Sequence, residues 1–420
     1  MRTKEVYFPT LENVKAAAKN LVGVAYKTPL NKNRNLSKQF DSTILFKRED
    51  LQVVRSYKIR GAYNKMSSLN ADEKKRGIVC ASAGNHAQGV ALSCKLLKVK
   101  GTIFMPSPTP NQKINQVKMF GEDFIEVVIE GDTFDDAFNL ANTRCKAQNK
   151  TFIHPFNDEK VIEGQATVGL EILSQTTKKI DYVFVAVGGG GLSSGLSSVF
   201  KYLSPETKVI GVEPEGAPSM LISLKNKEII TLEKIDSFVD GAAVKRVGDL
   251  NFKICQQNLY KMVTIPEGKI CQIILDLYNK DAIVVEPAGA LSIAALDSFA
   301  EEIKGKNVVC IVSGSNNDIT RTAEIKERAM LFANLKHYFI VRFPQRAGAL
   351  KEFVAEVLGP KDDITHFEYT KKTNRENGAA VVGLELKSAE DLAPLIQRMK
   401  ERGFFGDYLN DKPDLLQFLL

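Results

Sequence analysis

Four successive glycines, Gly188, Gly189, Gly190 and Gly191, stand inside VFVAVGGGGLSSG at residues 183–195. Only glycine lets a backbone turn so sharply while its N–H groups face one concavity. Such a nest, opening a helix near Leu192, binds a phosphate dianion through amide donors and the helix dipole. A merely flexible loop is the bland alternative, and it would cost chain entropy for no return. The spacing is not GxGxxG, and no GxxxxGK[ST] occurs in the chain. The nearest candidate for a ribose-binding acid is Glu213, at the end of KVIGVE. Dinucleotide and nucleoside-triphosphate chemistry are therefore set aside. A phosphate held without a lysine and magnesium partner suggests a phosphorylated cofactor rather than a phosphate in transfer.

Other candidate groups fall where buried strands end. In CASAGNHAQG, residues 80–89, Ser82, Ala83, Gly84 and Asn85 put small side chains and free amides at a helix start, which suits a carboxylate. Asn85 can donate to a phenolate or carbonyl oxygen. His86 is either a base or a turn histidine satisfied by backbone. CIVSGSNND, residues 310–318, offers the hydroxyl of Ser313, a site group or a cap; VEPAGA, residues 285–290, offers Glu286, functional or structural. Lys58 opens an apparent helix in VRSYKIRGAYNKM. Beside two anion nests its amine would be desolvated, its pKa lowered, and its nitrogen freed to form an imine. A phosphate cradle, an imine-forming lysine, a donor for a ring oxygen and a neutral hydroxyl for a ring nitrogen together describe pyridoxal 5'-phosphate. Spacing alone makes that cofactor the leading guess, and does not single Lys58 out among the lysines.

The elements that must hold these groups read clearly. From about residue 78 to 312 the chain repeats a short apolar run, a glycine or proline turn and a helical pattern, as in GIVCAS before HAQGVALSCKLL and DYVFVAVGGGG before LSSGLSSVFKYL. Strands without polar alternation are buried on both faces, which predicts parallel sheets wrapped by helices, with ligands at the strand ends. The rhythm changes after Arg328. A strand, a helix, a probable hairpin from DITHFEYTKK and GAAVVGLEL, and a second helix capped by Ser388 resemble half of a ferredoxin-like sandwich. The boundary is expected near residues 329–336. A small antiparallel module appended to a complete α/β body more often regulates or assembles than catalyses.

Composition fits this division. A length of 420 residues implies two or three domains, and 44% apolar with 25% charged residues is ordinary for a soluble protein. The net charge of +7 is scattered, with no arginine-rich arm or aromatic ladder to suggest nucleic acid. No apolar run approaches membrane-spanning length, and the N-terminal stretch lacks a secretory core. Six cysteines without a CxxC pair read as buried small hydrophobes rather than disulfides or metal ligands, and the cytoplasm follows as the default location.

The motifs SYKIRGAYNKM, SAGNHAQGVA, VGGGGLSSG and SGSNND, with TPL at 28–30 and KRED at 47–50, resemble the threonine and serine dehydratases. These belong to the tryptophan-synthase-β-like (fold type II) class of pyridoxal phosphate enzymes. The resemblance implies a catalytic region over about residues 1–330, with a smaller α/β subdomain near 55–155 nested in it. It implies a cofactor imine on Lys58, the ring oxygen on Asn85, the phosphate on Gly188 to Leu192 and the ring nitrogen on Ser313. Amides of Ser82, Ala83, Gly84, Asn85 and His86 would hold the substrate carboxylate. Tyr57 departs from the family's usual phenylalanine. Related serine racemases carry a second serine where this chain has Ala83, which argues for a lyase. They also bind a divalent ion through a glutamate and an aspartate; Glu213 matches the first, but Ser219 replaces the second, so no metal is expected. FPQRAGALKEF at 343–353 resembles the ACT-like α+β regulatory domain of biosynthetic threonine dehydratases, here over about 336–420. The implied reaction is deamination of L-threonine to 2-oxobutanoate and ammonia, opening isoleucine synthesis, with isoleucine or valine as effector and a homo-oligomer as assembly. The alternatives are a catabolic serine/threonine dehydratase, a serine racemase, and a non-enzymatic amino-acid sensor on the same fold. Intact Lys58 and glycine loop weigh against the last.

Overall fold

The computed structural model describes residues 7–369 and 377–416. The chain divides into two compact units, Met1–Asp318 and Ile319–Leu420.

Two sheets organise the first unit. The smaller has four parallel strands in the order Ile125–Ile129, Gly101–Met105, Ile78–Ala81, Thr151–Phe152. Ile78–Ala81 and Gly101–Met105 are buried at every position, because helices cover both faces. On one face Ile78, Cys80, Ile103 and Met105 cluster with Ala87, Val90 and Cys94 of the helix Asn85–Leu97. On the other, Val79, Ala81 and Phe104 meet Ala137, Ala141 and Cys145 of the helix Phe134–Ala147. The alternation is the two-residue period of a strand made visible in packing.

The larger sheet runs Leu30–Lys32, Thr43–Arg48, Asn307–Val312, Tyr182–Ala186, Lys208–Pro214, Lys261–Ile265. All neighbours are parallel except the edge strand Leu30–Lys32. The parallel sheets expected from sequence are present, with that one antiparallel addition.

The helix Glu159–Gln175 was not legible in the sequence, since it is buried almost all round and lacks one apolar stripe. It lies between the helix Lys58–Ser67 and the helix Gly191–Leu203. Small residues allow this. A Cβ on Gly164 would crowd the backbone of Arg60 and Gly61, and one on Gly195 would sit 2.6 Å from the Ile162 carbonyl. One buried helix thus braces the two elements that carry Lys58 and the glycine run.

A buried charge network ties this brace to the rest. Arg60 donates to Glu49 through Nε and Nη2, each at 2.8 Å, and to Glu171 through Nη1 and Nη2 at 2.7 and 2.9 Å. Its remaining bonds reach Thr167 Oγ1 and the Tyr26 carbonyl. Lys47, wholly buried, donates to Glu171 at 2.6 Å, to Gln175 at 3.0 Å and to the Thr28 carbonyl at 2.7 Å. Glu49 stays ionised: burial opposes its charge, but Arg60 and Lys47 together hold its pKa below the usual value.

The second unit is a four-stranded antiparallel sheet in the order Asp363–Tyr369, Asn377–Glu385, Lys336–Pro344, Phe405–Tyr408. A helix Ala349–Glu352 that continues as a π-turn, Phe353–Val357, and a helix Leu392–Glu401 contribute to its core of Phe339, Phe343, Phe353, Leu395, Met399 and Phe404. The sandwich is complete rather than half. The missing strand, FGDY, is short and half polar, so no pattern marks it. Ser388 accepts from the Glu390 amide at the turn that leads into Leu392–Glu401. The connection between Asp363–Tyr369 and Asn377–Glu385 lies outside the described residues.

All six cysteines are buried and none forms a disulfide. Among the described residues no helix is long and apolar enough to cross a membrane. Replacing Arg60 by leucine strands Glu49 and Glu171 without their main partner. The expected cost is about 3–5 kcal/mol, read as a marked fall in the melting temperature of the first unit; a melting curve unchanged from native would refute the network's role.

Candidate active site

Lys58 is the first residue of its helix. The chain before it is fixed by a bridge between Ser56 and Gly314, by the Tyr57 amide donating to the Ser313 carbonyl at 3.2 Å, and by the Ser315 amide donating to the Arg55 carbonyl at 2.9 Å. Arg55 takes a left-handed φ of 56° to make that turn. Lys58 Nζ donates to the Pro155 carbonyl at 3.0 Å and lies 5.4 Å from the centre of the Tyr57 ring. Burial lowers its pKa to about 8, against the opposing pull of Glu286. An amine with that value has far more free base at neutral pH than a surface lysine.

The glycine run leads from the strand Tyr182–Ala186 into the helix Gly191–Leu203. Gly190 has φ +92°, a conformation that disfavours side chains. A Cβ on Gly189 would collide with the Phe156 ring, and one on Gly191 would sit 3.1 Å from Phe156 Cβ. From Gly189 through Phe200 every residue is buried. The first intrahelical acceptor is the Gly190 carbonyl, which takes the Ser194 amide. The amides of Gly188 through Ser193 therefore find no protein acceptor among the described residues. A buried helix start without partners for its donors is built for an anion.

The helix Asn85–Leu97 repeats the arrangement with fewer free donors. The Ser82 amide is used by the Phe104 carbonyl at 3.0 Å, and the Gly84 amide donates to Ser82 Oγ at 3.2 Å. This corrects the expectation that all amides from 82 to 86 are available: those of Ala83, Asn85 and His86 remain. His86 is the backbone-satisfied histidine. Its Nε2 lies 2.9 Å from the Ile153 carbonyl, and burial with the nearby Lys58 charge pushes its pKa down to about 3. Because a carbonyl only accepts, Nε2 carries the hydrogen of this contact.

Asn85 is gripped from both sides. Its Nδ2 donates to Glu286 Oε1 at 2.6 Å, and its Oδ1 accepts from Asn316 Nδ2 at 2.6 Å. Asn316 also donates through Nδ2 to the Val54 carbonyl and through its amide to Glu286 Oε2. This closed ring fixes which way the Asn85 amide points, leaving one Nδ2 hydrogen for a ligand. Burial of Glu286, with Asp240 nearby, raises its pKa to about 7, although Asn85, Lys113 and Asn316 favour the ion. Ser313 is buried with its hydroxyl 3.1 Å from the Ala288 carbonyl. Glu213 accepts the amides of Met220 and Leu221 at 2.7 and 2.8 Å, and the Ser219 hydroxyl donates to the Val244 carbonyl.

The sequence reading missed the turn His154–Asn157 and the part that Asn316 plays beside Glu286, a residue it had named as functional or structural. A polar asparagine and an HPFN turn carry no spacing signal, since their roles arise only from tertiary contact.

A family model described as pyridoxal-phosphate dependent enzyme matches residues 23–314. The chain belongs to the pyridoxal-phosphate-dependent enzymes. A second model, the C-terminal regulatory domain of threonine dehydratase, matches residues 327–419. The chain is 55% identical to the biosynthetic L-threonine dehydratase of Halalkalibacterium halodurans over 98% of its own length and 99% of the relative's. Processed threonine deaminase isoform 2 of Solanum lycopersicum superposes with a TM-score of 0.71 at 38% identity, covering 78% of this chain and 98% of that one. A T.th. threonine deaminase gives 0.70 at 34% identity, covering 74% and 99%. The chain is therefore a lyase-family member of this class, and pyridoxal phosphate is its cofactor. The residues present fit that group, with a buried cradle of unpaired amides for a phosphate and a deprotonatable lysine for an aldehyde.

The raised pKa of Glu286 has a thermodynamic signature. In the unfolded chain this carboxyl ionises near 4.3, while folded it holds its proton until about 7. Between those values the folded state binds more protons, so this group makes stability fall as pH rises, by up to about 1.4 kcal/mol per pH unit. Glu286→Gln is expected to flatten that decline in cofactor-free protein between pH 5 and 7, measured by denaturant unfolding; an unchanged slope would contradict the assignment.

Proposed function

We propose that this chain is a threonine ammonia-lyase that converts L-threonine to 2-oxobutanoate and ammonia at the head of isoleucine synthesis. The observation that carries the reading is the buried Lys58 amine docked on the Pro155 carbonyl, together with two helix starts that each leave amides without a protein acceptor, in a chain similar over its whole length to proteins named biosynthetic threonine dehydratases.

Pyridoxal phosphate, when bound, supplies an electron sink for charge left on the substrate α-carbon. Gly188 to Leu192 would hold the phosphate through their amides, Asn85 would donate its remaining amide hydrogen to the ring oxygen, and Ser313 would offer the ring nitrogen a neutral hydroxyl. The free amides of Ala83, Asn85 and His86, framed by Ser82 and Gly84, take the substrate carboxylate. Lys58 would hold the aldehyde carbon, and its amine, once freed by the substrate amine, would be the base for the α-proton. That proton and the departing β-hydroxide balance the one water eliminated. Lys58 would then be placed to reclaim the aldehyde carbon, leaving an enamine that tautomerises and is hydrolysed to the oxo acid and ammonia. Ala83 supplies no hydroxyl to act as a base on the opposite face, which favours elimination over racemisation. No metal is assigned at Glu213, whose oxygens are both engaged by amides.

The second unit is read as the sensor for isoleucine or valine, and the working form as a cytoplasmic homo-oligomer, dimer or tetramer. The regulatory-domain match supports the sensor reading.

Lys58→Ala is expected to abolish ammonia release from threonine together with the visible absorbance of the bound cofactor; a variant that keeps both at native levels would remove Lys58 from the mechanism. Assays of native protein on L-threonine, L-serine and D-serine should rank threonine first, and a preference for serine would shift the assignment. Isoleucine should inhibit the full chain and leave residues 1–318 alone unaffected, compared at equal cofactor saturation. Inhibition that persists in the shorter chain would place the sensor elsewhere.

A further inference from the structure

Asn251 lies on the helix Asp249–Asn258 and is wholly buried. Its Nδ2 has two hydrogens and spends them on two carbonyls, Gly189 at 2.7 Å and Phe156 at 3.1 Å. The Gly189 carbonyl also takes the Gly248 amide at 3.1 Å. Space for the asparagine is made by glycine on two sides. A Cβ on Gly190 would stand 2.8 Å from Asn251 Cβ, and one on Gly248 would stand 2.6 Å from its Nδ2. Its Oδ1 is buried with no hydrogen-bond partner among the described residues. The side chain is therefore oriented by its two donations alone, and an unpaired buried acceptor is tolerated to keep them.

The two carbonyls belong to the two ends of the cofactor site. Gly189 is inside the amide nest. Phe156 follows Pro155, whose carbonyl receives Lys58 Nζ. The Phe156 turn is itself rigid: His154 Nδ1 accepts the amides of Phe156 and Asn157, and Asn157 Oδ1 accepts the Leu250 amide, one residue before Asn251. One peptide unit separates the atom that docks the lysine from the atom that Asn251 holds. We infer that Asn251 is a positioning residue that ties the phosphate nest to the carbonyl docking Lys58 and so sets the span between the cofactor's two attachment points. This rests on the cofactor site described above and not on threonine being the substrate.

The side chain touches neither reacting atom, so its effect must appear in cofactor affinity and in Lys58 itself. Asn251→Asp keeps the size and replaces the donor by an oxygen facing two carbonyls. Titration of cofactor-free protein with pyridoxal phosphate should show the dissociation constant rising about ten-fold or more, equivalent to about 1.4 kcal/mol. The pH midpoint for acylation of Lys58 in cofactor-free protein, followed by peptide mass spectrometry, should move as the amine loses its fixed dock. Asn251→Ser, which can keep one donation, should lie between native and Asn251→Asp, and decides the matter if the aspartate variant does not fold. Cofactor affinity within two-fold of native and an unmoved Lys58 midpoint would overturn the inference. So would a loss of affinity fully matched by a fall in the melting temperature of the cofactor-free protein, which is what a purely structural asparagine gives. A native chain that binds pyridoxal phosphate and ignores threonine would defeat the proposed reaction and leave this test intact.

Discussion

Everything at the site depends on Arg60 being unable to move. Its guanidinium sits two residues beyond Lys58, binds Glu49, shares Glu171 with Lys47, and reaches the Tyr26 carbonyl. Two cations and two anions are thereby neutralised inside the protein, with the donors satisfied by partners from three separate stretches of chain. Such an arrangement adds little net stability over well-packed apolar residues, but it tolerates only one geometry. The first turn of the Lys58 helix inherits that geometry. A lysine on a mobile turn would reach water and regain an ordinary amine pKa; here it is held against Pro155, where desolvation keeps the nitrogen reactive.

Recognition of negative charge is then left to backbone. Both candidate anion sites are helix starts with amides that have no acceptor among the described residues. Fixed amide dipoles need no reorganisation when a ligand arrives. They demand close approach instead, and the Phe156 ring can pass beneath Gly189 only because no side chain intervenes. The glycines of this loop are thus answerable to a phenylalanine some thirty residues earlier as much as to a phosphate.

The legible part of this molecule was the part written in local pattern. Largely apolar runs such as Gly101–Met105 announced buried parallel strands, and four glycines in a row announced the sharp turn that opens Gly191–Leu203. Patterns that depend on partners were silent. The helix Glu159–Gln175 is buried on nearly all sides and so shows no stripe. Phe405–Tyr408 becomes a strand only because Lys336–Pro344 offers it an edge. Asn251, Asn316 and Glu286 are ordinary polar residues until the fold brings carbonyls and an asparagine within reach. The sequence left His86 open between two roles, and a single carbonyl, that of Ile153, decided it.

The loop after Asn307–Val312 packs two duties into a few residues. Ser313 anchors the turn before Lys58, Asn316 locks the amide of Asn85, and the first unit ends at Asp318. Anyone wishing to separate the two units by genetic surgery has almost no slack: a cut even slightly upstream of that junction would set the Asn85 amide free to rotate. The shortest fragment able to keep its chemistry is therefore fixed by an asparagine's orientation rather than by where the last strand stops.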